Sequence, residues 1–300
     1  MTSTFQSLST EIAQTIQTAG PSVVAVDGRS GHTSSGIVWR ADCVITAAHS
    51  IRQEAGIRVI PTPDHSGIPA RLLGRDRGTD IAILKLDQPP AAPPAALAAP
   101  RLSVGDLAVA VARTRRGNIV ASAGILSGLM GEWRVHRTTI DQFIRPDLTL
   151  YPGFSGGALL SADGKILGMN TSGLLRGKPI TIPSSTLTRI ADEIASKGHV
   201  SQPYIGLAMQ PVQIPESLRK SAGIQTAMGL LVLHAEPGGP ADTAGILLGD
   251  VLLEIDGVTF GDLDDVHELL HRKGAGQEVQ ATVIRGGRKH QVTIRIGARP

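Results

Sequence analysis

Pro152-Gly153-Phe154-Ser155-Gly156-Gly157-Ala158 places one serine among three glycines, ahead of the apolar run Ala158-Leu159-Leu160. Glycine reaches backbone conformations that a Cβ disfavours. A turn of this composition can therefore present a side-chain hydroxyl while its own N–H groups point the same way. A nucleophilic serine with an oxyanion hole needs that arrangement. A glycine-rich hairpin turn between two strands explains the string equally well. The first reading requires a base and a group that orients the base.

His49 and Asp80 fit those two needs. His49 closes the apolar strand-like run Ile45-Thr46-Ala47-Ala48, whose small residues leave room for an imidazole to turn toward a cleft. Asp80 opens the run Ile81-Ala82-Ile83-Leu84. A carboxylate at the mouth of a buried strand is costly to desolvate unless a donor meets it. An imidazole N–H is a suitable donor, and the contact would hold the ring in the tautomer that a general base needs. Taken singly, a histidine at a strand end and an aspartate before a strand are ordinary structural residues. The other histidines, His32, His65 and His136 among them, lie in less apolar settings, and no HExxH spacing points to a metal. No cofactor is expected.

Outward from these residues the chain is a succession of short β-type runs separated by turns. One series covers Ser22–Val26, Ser35–Trp39, Cys43–Thr46, Ile57–Ile60, Ala70–Leu73 and Ile81–Leu86. The stiff Pro89-Pro90-Ala91-Ala92-Pro93-Pro94 follows. A second series covers Asp106–Val111, Ile119–Ser127, Arg134–Ile140, Gly157–Leu160, Ile166–Asn170 and Ile180–Ile182. Two such series predict a mainly β fold with two packed barrels. Base and orienter belong to the first, the serine to the second, so the site is expected in the cleft between them. A helix from Ser184, with Leu187, Ile190 and Ile194 on one face, stops at Gly198. Ahead of the barrels, Phe5, Leu8, Ile12 and Ile16 recur at helical spacing until Gly20-Pro21. The expected division is 1–20, an amphipathic helix; 21–198, the two-barrel domain; and 199–300, a separate α+β module. That module carries a short helix at Gly239–Gly245, an amphipathic helix at Asp262–Arg272 and a final hairpin across Gly286-Gly287.

Composition bounds the rest. Three hundred residues suit about two domains. The net charge is only +3, and the arginine clusters Arg113–Arg116 and Arg285–Lys289 carry no interleaved aromatics. They read as solvated loops, which excludes a nucleic-acid partner. Cys43 is the single cysteine, so no intrachain disulfide or CxxC motif exists. No apolar run reaches the length of a membrane span. Residues 1–20 lack a basic and apolar leader, so the chain as written reads as cytoplasmic, or as periplasmic if a leader was removed.

Thr46-Ala47-Ala48-His49, Asp80-Ile81-Ala82-Ile83-Leu84 and Gly153-Phe154-Ser155-Gly156-Gly157 resemble, in that order, the three catalytic blocks of the trypsin-like serine peptidases. With the C-terminal module, the chain resembles the HtrA (DegP-like) branch, with one PDZ domain. The resemblance implies that Ser155 attacks the scissile carbonyl, His49 relays the proton and Asp80 orients His49. It places the oxyanion hole in the loop of Gly153, Phe154 and Ser155, formed by the N–H groups of Gly153 and Ser155. Two departures stand in that loop. The family has Asn where this chain has Phe154, and Pro where it has Ala158, so Phe154 is expected to set the loop's resting conformation. The family's Gly-Asn-Pro-Phe-Gly turn is replaced around Arg113–Gly117.

The same resemblance assigns an S1 pocket to the segments Leu148–Tyr151 and Thr171–Leu175, with Leu150, Ser172 and Gly173 lining it. They offer no carboxylate, so a small or medium apolar P1 residue is expected. Tyr204-Ile205-Gly206-Leu207 resembles a PDZ carboxylate-binding loop, beside which a peptide adds a strand. Val266 and Leu270 would wall its groove, or simply pack the module's core.

The expected function is thus an endopeptidase acting on unfolded or misfolded polypeptides, with the PDZ module binding peptide C-termini or hydrophobic segments. The rival is a catalytically silent peptide-binding protein of the same fold. A serine esterase fits less well, because the chain lacks the alternating helices of an α/β-hydrolase. The resemblance also brings in a homotrimer built through the N-terminal segment. Phe5, Leu8, Ile12 and Ile16 suit that role or docking on their own domain.

Overall fold

The structure is a computed structural model that describes residues 3–28, 33–135, 138–175 and 178–299; His32 and His136 lie outside them. The chain divides into two compact units, Met1–Val200 and Ser201–Pro300.

In the first unit, Ser3 caps helix α1 (Thr4–Ala19), its side chain accepting from the Gln6 N–H at 3.2 Å. Six strands follow: β1 (Val23–Asp27), β2 (Ser34–Arg40), β3 (Cys43–Ala47), β4 (Ile57–Ile60), β5 (Ile68–Asp76) and β6 (Ile81–Leu86). They close into a barrel in the order β1-β2-β3-β6-β5-β4. The next strands are β7 (Leu107–Arg113), β8 (Ile119–Met130), the hairpin pair β9 (Trp133–Val135) and β10 (Thr138–Ile140), β11 (Phe143–Asp147), β12 (Ala158–Ser161), β13 (Ile166–Leu175) and β14 (Lys178–Pro183). Six of these close a second barrel in the order β11-β14-β13-β12-β7-β8. The expected single run Arg134–Ile140 is instead the separate β9–β10 hairpin. The two-barrel, mainly β architecture is otherwise the expected one.

Strand residues alternate between faces, and here both faces are buried. Val24, Val26, Val38 and Val44 fill the interior of the first barrel. Their neighbours Val23, Ile37, Ile45 and Ile83 form a second cluster with Val109, Val111, Leu160, Met169 and Ile182 of the second barrel. Helix α2 (Ser184–Lys197) adds Leu187, Ile190 and Ile194 to the same cluster and ends at Gly198, φ +80°. This shared layer fixes one barrel on the other. The proline-rich connector is tied to both: the Ala95 N–H donates to the Val38 carbonyl at 2.7 Å, and Leu97 bridges Ile166. Helix α1 docks on its own unit through Ile12, Ile16 and Ala19, leaving Phe5 and Leu8 exposed.

The second unit comprises β15 (Gln202–Tyr204), β16 (Leu207–Gln213), α3 (Glu216–Ala222), β17 (Met228–Ala235), α4 (Pro240–Thr243), β18 (Val251–Ile255), β19 (Val258–Thr259), α5 (Leu263–Lys273), β20 (Glu278–Arg285), β21 (Arg288–Arg295) and β22 (Gly297–Arg299). Its main sheet runs β16-β17-β18-β20-β21, so β16 is an edge strand. Pro211 within it suits that place, because proline cannot donate to a second neighbour. Asp262 and Asp265 form a capping box at the start of α5. No helix among the described residues is long and apolar enough to cross a membrane.

Candidate active site

His49 stands one residue into a 3-10 turn, Ala48–Ser50, at the end of β3. Asp80 stands immediately before β6, the neighbour of β3 in the barrel. Asp80 has φ +59°, the left-handed region that short polar residues tolerate best. In that conformation it engages both ends of the Ala48–His49 segment. Its carbonyl accepts from the Ala48 N–H at 2.9 Å, and its Oδ1 accepts from the His49 N–H at 2.8 Å. Its Oδ2 lies 2.7 Å from His49 Nδ1 and also accepts from the Thr171 hydroxyl. A carboxylate is an acceptor only, so Nδ1 donates, and in a neutral ring Nε2 then carries the lone pair. The Asp80 side chain is buried, whereas that of His49 is 40% exposed. One group is thus tied in the interior, and the other is open at the surface.

Ser155 lies between β11 and β12, in a loop with left-handed glycines at Gly153 (φ +99°) and Gly156 (φ +87°). Only glycine fits at 156, where a Cβ would lie 1.9 Å from the Ser35 carbonyl. The loop is fastened at several points. The Phe154 N–H donates to the Tyr151 carbonyl at 3.0 Å, and the Gly157 N–H donates to the Phe154 carbonyl at 2.9 Å. The Ser35 hydroxyl donates to the Gly153 carbonyl at 2.8 Å, while the Ser35 N–H donates to the Ser155 carbonyl at 2.9 Å. The Phe154 side chain is 2% exposed and packs with Ala110, Leu126, Ile144 and Leu159 inside the second barrel. Burial of such a ring contributes about 1.5–3 kcal/mol. The expectation that Phe154 sets the loop has this physical content: the ring anchors it in the core. The N–H groups of Gly153 and Ser155 donate to no other described residue.

The Ser155 hydroxyl lies 3.3 Å from the Ser172 hydroxyl and 3.4 Å from the Ser172 N–H; it makes no hydrogen bond to His49 among the described residues. The next residue, Gly173, stands against the other side of the site. A Cβ there would come within 2.5 Å of His49 Nδ1 and 2.7 Å of Asp80 Oδ2. Consecutive residues of β13 thus touch Ser155 and the His49–Asp80 pair, which brings all three sequence-selected residues to one place.

The three residues expected to line one S1 pocket are divided. Leu150 packs against the Phe154 cluster, Ser172 contacts Ser155, and Gly173 lines a cavity with His49 and Asp80. The cause is the length of β13, which continues past Thr171 and carries Ser172 and Gly173 across the site. Thr171, read in sequence as part of that wall, instead donates to Asp80.

Sequence reading also took Arg113 as part of a solvated loop. It is buried, and it donates to the carbonyls of Gly20 (3.1 Å), Val23 and Gly117. Burial draws its guanidinium pKa below the ordinary value. Its backbone N–H donates to the Ser35 hydroxyl at 2.9 Å. A hydrogen-bonded chain therefore runs from Arg113 through Ser35 to Gly153. The local sequence does not signal this, because two of the three acceptors lie far off, at residues 20 and 23.

Family models agree with this geometry. A trypsin-like peptidase domain matches residues 34–169, and a PDZ domain matches residues 203–296. The chain carries a trypsin-like peptidase domain followed by a PDZ domain and is similar to HtrA-type proteases. Protease Do-like 1, chloroplastic, of Arabidopsis thaliana is 30% identical over 289 residues, covering 89% of this chain and 64% of the relative. A probable periplasmic serine endoprotease, DegP-like, of Halomonas elongata is 30% identical over 285 residues, covering 91% and 59%. The chain thus spans about three fifths of the length of these curated relatives. Among solved structures, the HtrA-type protease AlgW with decapeptide matches with TM-score 0.69 and 26% identity, covering 96% of this chain and 98% of that one. The serine endoprotease from Yersinia pestis matches with TM-score 0.71 and 25% identity, covering 96% and 98%.

In the PDZ domain, Tyr204 ends β15 and Ile205-Gly206 lead into the edge strand β16, with Gly206 at φ +78°. The N–H groups of Ile205 and Gly206 donate to no other described residue. Leu207 begins β16 and packs partly buried on the core. Of the two readings open for Val266 and Leu270, the structure gives packing: they are 2% and 1% exposed within the domain core, because α5 spends its apolar stripe on the sheet. They offer no open groove wall in this conformation.

Proposed function

We propose that this HtrA-like chain is a serine endopeptidase that cleaves unfolded or misfolded polypeptides. In this reading Ser155 Oγ bonds to the scissile carbonyl carbon while its proton passes to His49 Nε2. The carbonyl oxygen becomes an anion received by the N–H groups of Gly153 and Ser155. His49 returns the proton to the departing amine as the C–N bond breaks. Water, activated by the same imidazole, then hydrolyses the ester and frees Ser155. Asp80 holds the ring throughout. The observation that carries the reading is the convergence at one site of the His49–Asp80 pair, at 2.7 Å, and a serine loop with two unspent N–H donors. Preorganised donors of that kind typically account for about 10²–10³ in rate each.

A second reading, a catalytically silent peptide binder, has one observation in its favour: the Ser155 hydroxyl is bonded to Ser172 rather than to His49. One experiment separates the two. Wild type and Ser155→Ala are incubated with a reduced, denatured protein at several temperatures. Fragments from wild type alone establish the endopeptidase; no fragments from either leave the binder.

The proposal extends to the PDZ domain, where Ile205 and Gly206 receive a peptide's terminal carboxylate and the peptide adds a strand to the free edge of β16. Val266 and Leu270 join such a groove only if α5 shifts on binding. Leu150 and Ser172 remain with the S1 assignment, for an apolar P1 residue. A homotrimer would use the exposed Phe5 and Leu8 of α1. Unchanged particle size after removal of residues 1–20 would refute that role. A periplasmic site of action accords with the Halomonas relative, a probable periplasmic serine endoprotease.

A further inference from the structure

Beside His49 lies a cavity of about 470 Å³, lined by His49, Asp80, Gly173 and Leu174 together with Arg52, Arg75 and Arg77. Ser155 is not part of its lining, nor is Leu150. It is therefore a place for a neighbour of the residue whose carbonyl is attacked, not for that residue itself. The arginines reach it by the same segments that deliver the site. Arg52 follows His49 by three residues. Arg75 is the penultimate residue of β5, and Arg77 lies in the turn that leads to Asp80.

Charge in this cavity is unbalanced. Asp80 is occupied by His49 and Thr171. The nearby Asp76 is buried and accepts from the Gly78 N–H, the Thr79 N–H and the Thr79 hydroxyl. Glu54 meets Arg75 at 3.2 Å, and Arg75 also donates to the Ile51 carbonyl at 3.2 Å, which fixes its guanidinium in place. Arg52 and Arg77 are exposed and have no carboxylate partner among the described residues. Two free guanidinium groups and a third half-neutralised one thus surround a space ample for a side chain. A guanidinium presents a planar fork that matches a carboxylate.

We propose that this cavity is a substrate subsite for an acidic side chain, Glu or Asp, near the scissile bond, read chiefly by Arg52 and Arg77. The proposal rests on the endopeptidase reading and adds a substrate class to it. A peptide drawn past His49 toward Ser155 places a residue adjacent to the cleaved bond at the cavity mouth. A carboxylate there gains the two unpaired cations. A lysine there faces like charge and is disfavoured.

The test uses peptides amidated at the C-terminus, so that capture of a free carboxylate by the PDZ domain plays no part. They are identical except for one position, which is Glu, Gln or Lys, moved through three places on each side of the cleaved bond. Wild type is expected to favour Glu over Gln at one place by about 3–10-fold in kcat/KM, to disfavour Lys there, and to lose the preference at about 0.5 M salt. The double variant Arg52→Gln/Arg77→Gln is expected to cleave the Gln peptide like wild type and to lose the Glu preference. Equal cleavage of Glu and Gln peptides at every place, or a preference that survives in the double variant, overturns the subsite while leaving the endopeptidase intact. Absence of cleavage above the Ser155→Ala background overturns the endopeptidase reading instead. Anisotropy of labelled Glu and Gln peptides on the wild-type chain then decides the subsite: Glu-selective binding lost in the double variant supports it, and equal binding refutes it.

Discussion

The hydroxyls of Ser155 and Ser172 lie 3.3 Å apart, and the Ser172 N–H approaches the same Ser155 oxygen at 3.4 Å. Ser172 therefore competes with His49 for the proposed nucleophile. A neutral hydrogen bond contributes about 0.5–1.5 kcal/mol, so Ser172→Ala should raise kcat by roughly 2–10-fold with KM little changed. The rate of Ser155 labelling by a fluorophosphonate should rise in parallel. A fall in both would mean that Ser172 assists the reaction.

Ser35 holds the Gly153–Ser155 loop, the proposed oxyanion hole: its hydroxyl donates to the Gly153 carbonyl and accepts from the Arg113 N–H. Ser35→Ala frees that carbonyl to rotate. We expect kcat to fall by about tenfold to a hundredfold, below the 10²–10³ that loss of a direct donor costs. KM for a short peptide should hold, because no binding contact is removed. A matching loss of melting temperature with kcat unchanged would make the residue merely structural.

Arg113 satisfies three carbonyls that water does not reach. In Arg113→Met the shape is kept and the donors are lost. Each unsatisfied buried group costs about 1–3 kcal/mol. Partial relaxation leaves an expected loss of about 2–4 kcal/mol in urea unfolding of the two-barrel domain. Arg113→Lys should recover only part of it, since an ammonium lacks the planar fork that spans three acceptors.

Asp250 sets an acid limit on the PDZ domain. Burial pushes its carboxyl pKa up, but the hydrogen bonds from Arg285 and the Leu247 N–H, with the Arg285 charge, outweigh burial and hold it below the ordinary value. A depressed folded-state pKa gives stability that is complete above the unfolded value, about 3.9, and is lost as pH falls through the lower folded value. Hydrogen-exchange protection factors in residues 201–300 should therefore fall below about pH 4 in wild type. Asp250→Asn should exchange faster at neutral pH, with about 1–3 kcal/mol lost, and should show a flatter acid response. Identical pH profiles would remove the pair from this role.

What was legible in the sequence was what local chemistry dictates. His49 follows an apolar strand among small residues, Asp80 opens one and Ser155 stands in a glycine-rich loop, so each could be selected one segment at a time. The hairpin at Gly286-Gly287, with both φ angles positive, was legible for the same reason. Arg113 was not, because its burial depends on carbonyls at Gly20, Val23 and Gly117, which only the closed barrels bring together. The contact of Gly173 with His49 and Asp80 was not legible either, because strand length, not composition, carries it to that side of the site. Val266 and Leu270 show the limit of a helix stripe: an apolar face reads alike whether it packs a core or waits for a peptide.

The layer of Ile37, Ile45 and Ile83 against Val109, Val111 and Leu160 has a consequence beyond stability. It is the broadest mechanical reference that the proposed base and nucleophile share, beside the hydrogen bonds of Ser35 to the Ser155 loop and of Thr171 to Asp80, since each is carried by a barrel that closes without the other. Sub-ångström slippage along that layer would leave both barrels folded and the chemistry out of alignment. Hydrolytic turnover should therefore act as a vernier on the seam, responding to a distant Ile45→Val trim or to mild denaturant before any spectroscopic sign of melting.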